Sequence, residues 1–144
     1  MKLRIIAVGR LKSDMVALVE EYEKRIVGGV AVKEISTQDQ KAECAALLKA
    51  LPDKAFVILL DERGKDLSSP ELAQTMAAWQ ETGKPELIFL IGGADGVTEE
   101  VRTRADFCLS FGRKVWPHKL IRVMLMEQIY RAQQINAGHP YHRE

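Results

Sequence analysis

Ala55-Phe-Val-Ile-Leu-Leu60 is apolar at every position. A strand with one face in water alternates apolar and polar residues. An unbroken run of this length marks a strand covered on both faces, as in a parallel sheet with helices above and below. Glu86-Leu-Ile-Phe-Leu-Ile91 repeats the pattern and runs into Gly92-Gly-Ala-Asp-Gly96. Between the two, the polar stretch Asp61–Leu67 reads as a loop. Ser68-Ser-Pro-Glu71 then starts a helix with a Ser cap, an early Pro and a Glu three residues on. That helix continues through Leu72, Met76 and Trp79 to Gly83. Strand, helix and strand thus follow one another.

The same alternation extends outward in both directions. Lys2–Val8 is a strand ending at Gly9, and Ser13-Asp14 caps a helix carrying Met15, Leu18, Val19, Tyr22 and Ile26, closed by Gly28-Gly29. Val30–Ser36 is a second strand, and Gln38–Leu51 is a helix stopped by Pro52. Beyond Gly96, Thr98-Glu-Glu100 caps a short helix, Phe107–Phe111 is a fifth strand, Gly112–His118 is irregular, and Lys119–Ala137 is the last helix. The expectation is an α/β fold, a mostly parallel sheet with helices on both faces. With 144 residues and no visible linker, one domain over residues 1–144 is expected.

Composition narrows the functional classes. The chain is 47% hydrophobic and 28% charged, which excludes disordered and fibrous readings. No apolar run reaches the roughly 18–20 residues of a membrane span. Two cysteines, Cys44 and Cys108, make no disulfide framework, so a cytoplasmic protein is expected. Residues 1–101 carry 13 Lys/Arg against 17 Asp/Glu, whereas residues 102–144 carry 8 against 3. An anionic partner is therefore expected at the C-terminal third, with Arg102, Arg104, Arg113, Lys114, Lys119 and Arg122 as contacts. Leu120–Tyr130 is apolar around its whole circumference, which points to a second copy covering the outer face of the last helix.

Ligands of parallel sheets bind beyond the carboxyl ends of the strands. Three loops of unusual composition lie there: Leu59-Leu60-Asp61, Gly92-Gly93-Ala-Asp-Gly96 and Gly112–His118. Adjacent glycines remove the Cβ atoms where a flat ligand presses on backbone. There is no phosphate loop, no dinucleotide fingerprint and no nucleophile elbow, so hydrolysis and phosphoryl transfer are not expected. What remains is a site that aligns reactants. Pro140 argues against His139 and His142 sharing a helix face, and no third ligand is near, so no metal is expected. The tail His139-Pro-Tyr-His-Arg-Glu144 is chemically dense for a chain end. There Tyr141 can stack on a base, and Arg143 can pair with phosphate or polarise a carbonyl.

Leu-Leu-Asp-Glu-Arg-Gly-Lys (59–65), Phe-Leu-Ile-Gly-Gly-Ala-Asp-Gly (89–96), Pro-His-Lys-Leu-Ile-Arg-Val (117–123), Glu-Gln-Ile-Tyr-Arg-Ala (127–132) and the terminal hexapeptide together resemble the small SPOUT-class methyltransferases of large-subunit ribosomal RNA. The resemblance spans the whole chain. It implies a trefoil knot in the C-terminal third, S-adenosylmethionine as cofactor and a homodimer packed through the last helix. It also implies N3 of a pseudouridine in helix 69 of 23S ribosomal RNA as target, in assembled ribosomes. Carried over by position, the cofactor falls to Leu60, Gly92, Gly93, Gly112, Arg113, Lys114, Val115, Trp116 and Pro117. Gly112–Trp116 departs from the more apolar, Ser/Thr-rich segment usual in the family. Tyr141, His142 and Arg143 fall to substrate recognition and catalysis, with the acceptor of the N3 proton left open among His142, water and charge stabilisation by Arg143. The alternative is a non-catalytic ribosome-associated RNA-binding factor; the intact glycine loop and tail weigh against it.

Overall fold

The computed structural model describes residues 1–143. Five strands, β1 (Lys2–Val8), β2 (Ala31–Ile35), β3 (Phe56–Asp66), β4 (Glu86–Ile91) and β5 (Phe107–Ser110), form one all-parallel sheet in the order β2-β1-β4-β3-β5. The helices are α1 (Ser13–Glu23), α2 (Gln40–Lys49), α3 (Ser69–Gln80), α4 (Glu99–Arg104) and α5 (His118–Asn136). Leu3, Ile5, Ala7, Leu87, Phe89 and Ile91 face α1, α3 and α5, while Ile6, Val8, Ile88, Leu90, Val57 and Leu59 face α2 and α4. Successive side chains leave a strand on opposite faces, so an unbroken apolar run fills both layers at once. Each fully buried Leu or Ile contributes about 1.5–3 kcal/mol.

Ser68 accepts from the Glu71 N–H while Glu71 accepts from the Ser68 N–H, and α3 begins where its capping box requires. Asp39 caps α2 by accepting from the Ala42 N–H at 2.8 Å. Two local readings are corrected. Ser13 is the first residue of α1 rather than its cap, and the helix ends at Glu23, five residues before Gly28. Turns closed by Arg25, Ile26 and Gly29 fill the gap.

The stretch after Leu60 is strand, not loop. β3 continues to Asp66, its pairing with β5 slipping so that Leu60 and then Lys65 lie opposite Leu109. Gly64 permits this, since a Cβ there would lie 2.5 Å from the Cys108 carbonyl oxygen. Of the charged residues that suggested a loop, Glu62, Arg63, Lys65 and Asp66 are exposed, while the Asp61 side chain is buried.

The last helix is also more covered by its own chain than its composition suggests. α5 lies between α1 and α3, and Leu125, Met126 and Ile129 are fully buried. Ile121, Val123 and Met124 are half-buried, and only Leu120 among the apolar residues of 120–130 is exposed.

Candidate active site

The middle of β3 and the carboxyl ends of β4 and β5 border a cleft of about 840 Å³, within the usual range of small-molecule sites. Leu60 lines it from β3, Gly92 and Gly93 from the turn after β4, and Gly112, Lys114, Val115, Trp116 and Pro117 from the loop after β5. Arg113 is exposed and lies off the cleft wall. The three segments singled out in the sequence thus converge on one site, although the first, Leu59-Leu60-Asp61, lies within β3 and is not a strand-end loop; His118, the first residue of α5, joins them.

The glycines act differently from expectation. A Cβ on Gly93 would meet Glu43 Oε1 at 2.8 Å and Val8 Cγ1 at 3.1 Å; one on Gly92 would meet Val97 Cγ1 at 2.7 Å. The bare backbone is thus demanded by side chains packed against the turn, α2 and β1 among them. Gly112 is the opposite case. Its φ of +102° requires glycine, and nothing lies within 4 Å of its missing Cβ. The buried Ser110 hydroxyl ties this turn by donating to the Gly112 carbonyl at 2.7 Å and accepting from its N–H at 3.0 Å.

Sequence reading missed the pair at the cleft wall. Asp61 accepts from Arg102 Nε at 2.9 Å and from the Arg63 N–H at 3.1 Å, and its side chain is 6% exposed. Burial works to raise the Asp61 pKa, but those two donors outweigh it and hold the carboxyl below its ordinary range. Arg102 also donates to the Val97 carbonyl at 3.0 Å, so one guanidinium fastens the β3 wall to the β4 turn. His118 is pushed the other way. Burial, then Lys119 and Arg122, lower its pKa, leaving a neutral imidazole at pH 7.

Three of the six cations expected to meet an anionic partner are committed within the fold. Arg122 is 1% exposed, pairs with Glu34 and donates to the Gly9 carbonyl at 2.8 Å. It is an anchor between α5 and the end of β1, not a surface contact. Arg104 donates to the carbonyls of Pro52 and Ala55 and pairs with Asp106. Arg102 is held as described. Arg113, Lys114 and Lys119 form no ion pair with the described residues.

Residues 139–143 of the tail do not line the cleft of their own chain. The tail folds back on α5. The Tyr141 hydroxyl donates to Glu127 at 3.0 Å, its ring meets Tyr130 edge-on at 4.7 Å, and Arg131 lies 4.8 Å over it. Burial and then Glu127 raise the Tyr141 pKa. Arg131 approaches His142 Nδ1 at 3.0 Å. Arginine only donates, so Nδ1 accepts and the proton sits on Nε2, which is buried without a partner among the described residues. Arg143 is exposed, and Glu144 lies outside the described residues. The described residues contain no group of three or more His, Cys, Asp or Glu placed to hold a metal, and no helix long and apolar enough to cross a membrane.

Residues 1–142 match the family described as predicted SPOUT methyltransferase. Proteins named ribosomal RNA large subunit methyltransferase H are similar from end to end: that of Ruegeria pomeroyi is 47% identical and that of Cereibacter sphaeroides 48%, each over 99% of both chains. Among solved structures, one described as a probable methylase family protein from Haemophilus influenzae superposes with a TM-score of 0.61 at 13% identity, covering 99% of this chain and 70% of that one, a likeness of fold. A parallel sheet with its cleft at the strand ends, and a family match over nearly every residue, place the chain in the SPOUT methyltransferase family.

Proposed function

We propose that the chain uses S-adenosylmethionine to methylate N3 of a pseudouridine in helix 69 of 23S ribosomal RNA, acting as a cytoplasmic homodimer on assembled ribosomes. The observation that carries this reading is the end-to-end similarity to relatives named for ribosomal RNA methylation, joined to a cleft whose three loops are intact. The residues present fit the cofactor. Gly112 leaves open space where other residues carry a Cβ, Leu60 supplies an apolar contact, and the Gly92–Gly93 and 112–117 backbones supply main-chain groups. A neutral His118 adds no repulsion toward a cation, and Arg102 holds Asp61 in place. Bound there, S-adenosylmethionine supplies an electrophilic methyl on a sulfonium.

The chain's task is alignment and charge. The loop after β5 belongs to the knot that the family resemblance implies. Because the tail packs along α5 and away from its own cleft, it serves the cleft of the second copy. Half-buried Val123 and Met124 border a groove of about 450 Å³ on α5 and support that packing. Tyr141 and His142 are positioned through Glu127 and Arg131, and the exposed Arg143 offsets the charge left on the base as N3 loses its proton to water. The test is mass spectrometry of ribosomal RNA from cells with and without the protein. Loss of one methyl from a pseudouridine is expected; an unchanged modification set would exclude the reading and favour a non-catalytic factor.

A further inference from the structure

Of nine aromatic residues, Trp116 is the most exposed. Tyr141, the aromatic of the tail, is consumed by Tyr130, Arg131 and Glu127. Trp116 is 40% exposed at the cleft mouth, beside Val115 at 82%. Its indole N–H donates to the Phe111 carbonyl at 3.2 Å, so the polar edge is satisfied within the loop and the ring face is what remains to be used. Arg113 and Lys114, three and two residues before it, are exposed and free of ion pairs among the described residues.

An exposed π face with two unpaired cations in the same loop suits one occupant: an unpaired nucleobase with its phosphate alongside. We propose that the Trp116 ring stacks on an unpaired base neighbouring the target nucleoside while Arg113 and Lys114 take the adjoining phosphates. The inference rests on the ribosomal RNA reading above and adds to it a residue that selects a splayed, single-stranded context. It divides the loop after β5 by function, main chain toward the cofactor and side chains toward RNA. A protein with a net charge of only +1 needs such a contact, because it has no long basic track to hold RNA by charge.

The test compares wild type, Trp116→Ala, Trp116→Phe and the double variant Arg113→Ala/Lys114→Ala. Binding to assembled ribosomes is read by co-sedimentation across a salt series, and binding of S-adenosylmethionine by calorimetry. Trp116→Ala is expected to weaken ribosome binding by about tenfold or more, a larger loss than any in S-adenosylmethionine affinity. Trp116→Phe keeps a π face and restores most of the affinity. The double variant flattens the salt dependence by up to about two phosphate contacts. Because Trp79 is buried, acrylamide quenching of the free protein reports Trp116. Equal ribosome binding by Trp116→Ala overturns the proposal. So does a parallel loss of cofactor binding, which would return the ring to the cofactor site. Quencher access that falls with protein concentration alone would show a second copy covering the ring, and also overturns it. Wild type failing to bind ribosomes would remove the ribosomal reading itself, and this proposal with it; the other outcomes leave that reading standing.

Discussion

Replacing Arg122 with Met separates two roles that the same residue type can play. The guanidinium is 1% exposed, pairs with Glu34, donates to the Gly9 carbonyl at 2.8 Å and reaches the Val8 carbonyl at 3.5 Å. Methionine fills similar space but withdraws the guanidinium from two carbonyls and from Glu34, which keeps only the Leu11 N–H at 3.1 Å as a hydrogen-bond donor among the described residues. Breaking a buried pair costs about 3–5 kcal/mol. The Glu34 side chain is 36% exposed and regains water, which brings the expected loss to about 3 kcal/mol. In a chain of this length that is a fall in Tm of about 10 °C. The acid side of the stability curve carries a second signature. Burial works to raise the Glu34 pKa, but the Leu11 N–H and Arg122 outweigh it and hold the folded-state value below 4.5. A depressed carboxyl contributes stability above its unfolded pKa and loses it as pH falls through the folded value. In Arg122→Met that acid-side loss is smaller, because one of the groups that lower the Glu34 pKa is gone while the Leu11 N–H and Arg10 remain. Thermal unfolding between pH 3 and 7, followed by circular dichroism, reads both effects. A variant melting within about 1 °C of wild type, with the same acid limb and weakened RNA binding, would return Arg122 to the surface and refute the reasoning.

Gly64→Ala is expected to destabilise by about 3 kcal/mol or more, since its Cβ would meet backbone and not a movable side chain; urea denaturation measures it. Deleting residues 141–144 should leave cofactor binding near wild type and abolish methyl transfer. Mixing that chain with a Gly112→Val chain should restore activity in heterodimers, and no recovery would place the tail in its own subunit. Methyl incorporation at one salt concentration should be strong on assembled ribosomes and weak on a short hairpin or deproteinised RNA; equal turnover would show that bare RNA carries the recognition.

What could be read from residues alone was what is local or periodic. Ala55–Leu60 and Glu86–Ile91 announce doubly covered strands because burial on both faces leaves no polar position, and Ser68 to Glu71 is a self-contained cap. The loops after β4 and β5 were legible because parallel sheets place ligands at strand ends; Leu60 was found for the wrong reason, since β3 does not end there. The extension of β3 was not legible, because Gly64 matters only through its approach to Cys108 across the sheet. Asp61–Arg102 and Glu34–Arg122 join residues 41 and 88 positions apart, a separation that no pattern along the chain encodes. One signal was available: Arg122 stands alone among Leu120, Ile121, Val123, Met124, Leu125 and Met126. A single cation inside an apolar helix is more often a paired, buried anchor than a surface contact. The glycines after β4 misled for a related reason. Two bare residues at a strand end fit a ligand in front or a side chain behind equally well, and for Gly93 it is Glu43 and Val8 that press against the turn.

The central claim is the reaction itself. Purified protein, S-adenosylmethionine carrying a labelled methyl and assembled ribosomes from cells lacking the protein are combined, and the ribosomal RNA is digested to nucleosides. The account expects the label on N3 of one pseudouridine from helix 69, in an amount approaching one methyl per ribosome. No transfer, or label on any other nucleoside, would contradict it.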